Sequence, residues 1–130
     1  MINLPEGCKA YLENAGYTSI FMDGMPVQPL DCIAVFEYES GNPFGATGIN
    51  YGSTTQLMQV RVRRKTLAEA RGVAVSLFKL LDSGGDETLF DFGGNSAICR
   101  PRGTPYKLDD DGKAVVFSCN YRVQTFSEEE

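Results

Sequence analysis

The sequence predicts an α+β domain, a mostly antiparallel sheet of four to five strands with two helices packed on one face. Three observations point there. Residues 56–64 alternate apolar and polar as a strand does, and residues 66–81 repeat their apolar positions with helical period. Strands elsewhere in the chain are joined by loops instead of by repeated helices, which favours antiparallel pairing. The strand and helix of 56–81 each have one apolar side, so they must pack on each other.

The elements follow in order. Asn3 caps a helix with Pro5 in its first turn and Glu6 three residues after the cap. Leu4, Cys8, Tyr11, Leu12 and Ala15 fall on one stripe, and Gly16 ends it. A short apolar strand covers Thr18–Met22. Asp23, Gly24, Pro26 and Pro29 mark a loop. Cys32–Tyr38 is a strand by its β-branched and aromatic content. Ser40–Thr55 holds four glycines and a proline without periodicity. A loop of that length inside a compact domain usually serves a function. It carries Phe44, Ile49 and Tyr51, which a plain linker would not need.

In the next strand Met58, Val60 and Val62 point one way and Gln59, Arg61 and Arg63 the other. The polar set faces water or an acidic partner. Thr66 and Glu69 form a capping box. Leu67, Ala70, Ala74, Leu77, Phe78 and Leu81 make the buried stripe of the second helix. Gly72 sits inside it at a cost of about 1 kcal/mol, which a close backbone approach would explain. Ser83-Gly84-Gly85 stops the helix. A second aromatic loop, 86–95, contains Phe90 and Phe92. Ser96–Arg100 is a strand that Pro101 confines to an edge or an end. Asp109–Gly112 is a turn, and Lys113–Phe126 is a long final strand. Residues 1–126 form a single domain, with 127–130 an acidic, disordered tail.

Composition narrows the function. The 130 residues carry a net charge of −5, with 42% hydrophobic content. Clustered Lys and Arg are needed to neutralise phosphates, so broad nucleic-acid binding is not expected. No apolar run is long enough to span a membrane, and the start lacks the pattern of a signal peptide, so use inside a cell, or in a particle assembled there, is expected. There is no histidine. The cysteines Cys8, Cys32, Cys99 and Cys119 lie far apart in sequence and read as buried, reduced thiols. Asp109-Asp-Asp-Gly112 lacks the spacing of a calcium loop and reads as a hairpin turn. The glycine-rich segment lacks the Lys of a phosphate loop. No nucleophile has a partner base. Catalytic residues, metal and cofactor are therefore all expected to be none. Arg61, Arg63, Arg64, Arg100 and Arg102 form either a basic patch or cross-strand pairs with Glu37 and Glu39.

The whole arrangement resembles the minor capsid and tail-terminator proteins of tailed bacteriophages, also known as tail-to-head joining or tail-completion proteins. The likeness rests on the Leu4-Pro5 helix, the strand Ile33–Tyr38, and Met58-Gln-Val-Arg-Val-Arg63 running into Thr66–Arg71. Ile98–Pro101 and Asn120–Val123 complete it. This resemblance implies a non-catalytic virion protein, assembled in the host bacterial cytoplasm. It implies a homo-oligomeric ring, commonly a hexamer, that caps the tail tube and joins it to the head connector. DNA would pass through without specific binding. Phe44, Ile49, Tyr51, Gln59, Arg61, Arg63, Phe90 and Phe92 are then the candidate contacts to a neighbouring copy or the tail tube. The competing readings are a small-molecule-binding or enzymatic α+β domain, and another phage neck or connector component.

Overall fold

A computed structural model describes residues 3–38, 49–50 and 53–126. Helix α1 spans Leu4–Asn14, and the Asn3 side chain accepts from the Glu6 N–H at 3.2 Å. Helix α2 spans Leu67–Leu80, with the Thr66 hydroxyl accepting from the Glu69 N–H. The strands are β1 (Ile20–Met22), β2 (Cys32–Tyr38), β3 (Ile49–Asn50), β4 (Ser53–Arg64), β5 (Phe90–Phe92), β6 (Asn95–Pro101), β7 (Tyr106–Asp110) and β8 (Val115–Phe126).

They form one sheet in the order β1-β2-β4-β8-β6-β5, with β3 beside β4 and β7 beside β8. The expectation of two helices and an α+β fold agrees with this. The strand count and pairing need correction. The sheet has more than four to five strands, and it is mixed, because β1 runs parallel to β2. The parallel pair is possible without a crossover helix because β1 has only three residues. A strand of that length is about 10 Å long, so the loop 23–31 can return along it. The strands missed in the sequence are short, or exposed throughout as β7 is. Such a strand shows no apolar alternation.

The centre is the pairing of β4 with β8, each twelve residues long, in continuous antiparallel register from Ser53–Phe126 to Arg64–Val115. One face of this pair presents Met58, Val60 and Val62 beside Phe117, Cys119 and Tyr121, all buried. Ile33 and Val35 extend the layer onto β2. Both helices cover this face. Ala70, Ala74, Leu77 and Leu81 bury their side chains against it. Leu67, expected in that stripe, is 41% exposed, and Ala15 is exposed as well. Each sits at a helix end, beyond the reach of the sheet. The Tyr121 hydroxyl donates to the Leu77 carbonyl at 3.3 Å, tying β8 to α2.

Helix α1 is fixed differently. Tyr11 stacks on Phe90 at 5.0 Å and lies 5.6 Å from Phe92. Gly7 lets the helix backbone approach β5: a Cβ there would stand 2.9 Å from Phe92 Cβ and 3.0 Å from its carbonyl oxygen. Gly72 has no such neighbour within 4 Å. No intramolecular contact explains it.

The two glycines therefore respond oppositely to alanine. Gly7→Ala forces two backbones apart and lowers stability by about 2 kcal/mol. Gly72→Ala raises it by about 0.5–1 kcal/mol, through helix propensity and a less flexible unfolded chain. Urea denaturation of both variants checks the two signs.

Candidate functional site

The second face of the sheet carries no helix, and its residues are set by the same alternation that builds the core. Along β4 it presents Gln59, Arg61 and Arg63, and along β8 Ser118, Asn120 and Arg122. Arg100 on β6 lies opposite Arg122, and Tyr106 on β7 opposite Ser118. A polar chain crosses the strands. The Arg61 guanidinium sits 4.5 Å over the Phe36 ring and donates to Gln59 Oε1 at 2.7 Å. Gln59 Nε2 donates to Asn120 Oδ1 at 3.0 Å, and Asn120 Nδ2 donates to the Tyr106 oxygen at 3.3 Å. Hydrogen bonds with Asn120, then Ser118, draw the Tyr106 phenol below its ordinary range.

The arginines divide by their partners. Arg63 reaches back to the loop after β1 and donates to the carbonyls of Pro26, Leu30 and Pro29, the last two at 2.8 and 3.1 Å. It clamps the loop that makes the parallel pair possible. Arg64 donates to the carbonyls of Cys32 and Arg63. Arg100 pairs with Glu87. Among the described residues Arg122 has no such partner, and it is exposed. The expected cross-strand pairing of Arg61 or Arg63 with Glu37 does not occur. Glu37 lies opposite Met58, on the helix-covered face, and accepts from Gln56 Nε2. The one-residue offset between Glu37 and the arginines puts them on opposite sides of the sheet.

The other candidates separate. Phe92 is fully buried in the core and Phe90 half-buried, both against Tyr11. The exposed apolar residue of that loop is Leu89, 57% accessible, which the aromatic pattern did not single out. Ile49 lies in β3, paired with Thr54. Phe44, Tyr51 and Glu39 lie outside the described residues. Tyr106 and Leu108, both exposed, were missed because β7 was not recognised as a strand.

Three further features bear on chemistry. All four cysteines are buried and free. Burial pushes the Cys8 thiol up to about 12 and Cys119 up to about 11. The Asp109–Gly112 segment closes the β7–β8 hairpin, where Asp111 accepts from the Lys113 and Ala114 N–H groups at 2.8 and 2.9 Å. A groove of about 400 Å³ runs beside α2, lined by Asp31, Arg64, Glu69, Gly72 and Val73 among others. It is open and mixed in polarity, unlike the enclosed apolar pocket that small-molecule binding would call for. No helix among the described residues is long and apolar enough to cross a membrane.

Fold and surface together define a two-layer α+β domain with a helix-free face rich in arginine. The sequence profile of the bacteriophage tail terminator protein family matches residues 11–125, and the chain belongs to that family. It is thus a structural protein of the phage tail and a component of the virion. A search of curated proteins found no match. A solved structure resembles the fold with a TM-score of 0.61 at 12% identity, covering 95% of this chain and 96% of the other.

Two outcomes follow from this geometry. Arg63→Ala strands several loop carbonyls and lowers stability by about 2 kcal/mol, with faster amide exchange at residues 30–33; Arg61→Ser costs about 1 kcal/mol or less. The thiols are silent to a thiol reagent at roughly pH 8 and react fully only on unfolding. Their folded pKa values lie above the unfolded ones. Their contribution is therefore complete below roughly pH 8.5 and is lost as pH climbs toward about 11 and 12. Denaturation midpoints measured against pH should fall over that window.

Proposed function

We propose that this chain is the non-catalytic subunit of a homo-oligomeric ring, hexameric in its closed form, which terminates the phage tail and joins it to the head. Its partners are other copies of itself, the tail tube protein and the head connector. DNA passes through the ring without specific binding. The observation that carries this reading is the asymmetry of the sheet in a member of the tail terminator family. One face is sealed by two helices. The other is an ordered array of polar and arginine side chains with no helix over it.

The net charge of −5 supports the same reading, because an acidic lining lets a polyanion slide by without adhering. Phe44, Ile49 and Tyr51, with Leu89 just before β5, are the proposed contacts to neighbouring copies or the tail tube, whereas Phe92 is buried within the subunit. Gln59, Arg61 and Arg63 belong to the same proposed contact region, with Arg63 acting through the loop it holds. A neck or connector component would share the ring but bind the head side alone.

Light scattering over a concentration series tests the proposal. The mass should rise from the 14.2 kDa protomer to a discrete multiple, and the assembled form should bind purified tail tubes. A protein that stays monomeric at every concentration and ignores tail tubes would rule the ring out.

A further inference from the structure

On the β6 and β7 side of the sheet, the helix-free face carries arginine at one end of β8 and Asp109 at the other. At one end Arg122 and Arg100 stand directly opposite each other on the helix-free face. Side chains in that relation are about 5 Å apart at Cβ, and like charges there destabilise the sheet. Glu87 reaches Arg100, but among the described residues nothing neutralises Arg122. At the other end the β7–β8 hairpin presents Asp109, flanked by exposed Leu108 and Tyr106, while Asp110 pairs with Lys107 of its own chain at 3.9 Å. Asp109 is in register with Val116, so it shares the helix-free face with the arginines. Arg122 lies six positions along β8 from Val116, which is about 20 Å. The hairpin cannot reach the arginine pair of its own chain.

We propose that the Arg100–Arg122 pair receives the Asp109 hairpin of a second copy of this chain. The inference rests on the ring reading and assigns surfaces to it. The contact joins two unlike patches of identical subunits, the head-to-tail relation a ring requires. The Asp109 carboxylate of the neighbour relieves the repulsion that each subunit carries alone. The exposed Tyr106 and Leu108 add apolar area beside the charges.

The experiment compares Arg122→Glu, Asp109→Lys, and their equimolar mixture with the wild type, by sedimentation over a concentration series. Each variant alone should weaken self-association by about tenfold or more. The mixture should restore it, since every junction in an alternating assembly then pairs opposite charges. Arg122→Glu should also raise the melting temperature of the protomer, because it sets a carboxylate opposite Arg100. Lost packing would move both readouts downward together. Variants that assemble as the wild type does would overturn the proposal and leave the ring intact. Loss of assembly without rescue in the mixture would overturn the hairpin as occupant. A wild type that never assembles would instead remove the ring reading, and this inference with it.

Discussion

The register of β4 against β8 is the constraint on which the molecule depends. Twelve residues pair without a bulge, and each strand alternates apolar and polar along that length. A slip by one residue would turn Val60, Val62, Phe117 and Tyr121 outward and drive Arg61 and Arg63 into the core. Burying an unpaired guanidinium costs several kcal/mol, far more than any side-chain contact on the face contributes. The hydrophobic layer beneath the helices and the polar chain across the other face are therefore two results of one alignment.

That alignment also explains how the arginines are shared out. Arg63 and Arg64 end β4 where the loop after β1 passes; Arg63 donates to carbonyls of that loop, and Arg64 to those of Cys32 and Arg63. Arg61, two residues earlier, finds an aromatic ring and a glutamine instead. Arg122 lies far along β8 from all of these. Arginines of one sheet thus do separate jobs, in architecture at one end and at the surface at the other. Helix α1 answers to a different limit, the backbone contact between Gly7 and Phe92. That contact fixes where the sheet's last hairpin can lie.

The long elements were legible in the sequence because their signals are redundant. Asn3 and Thr66 announce their helices by caps, and β4 and β8 by sustained alternation. The burial of Cys8, Cys99 and Cys119 followed from their apolar positions. What escaped has physical reasons. Strand β7 is exposed at every residue, so backbone pairing to β8 defines it and no side-chain pattern does. Phe90 and Phe92 looked like a loop surface, yet Tyr11, distant in sequence, draws them into the core. Glu37 and the arginines looked like partners until the pleat put them on opposite sides. Which outward residues are consumed internally is a tertiary fact, and Arg63 could not reveal it from spacing.

The free edge of β7 has a consequence for copy number. Its outer backbone groups pair with no strand among the described residues, which normally invites another edge to zip onto it. Here Asp109 and Asp110 line that edge, and a register shift interrupts it between Lys107 and Asp109. That interruption leaves few consecutive backbone groups in register for a second edge, so the two-fold dimer that would bury them and stop growth is disfavoured. Contacts between unlike patches have no such natural end. The number of copies is then decided by an angle, the turn each contact imposes on the next subunit.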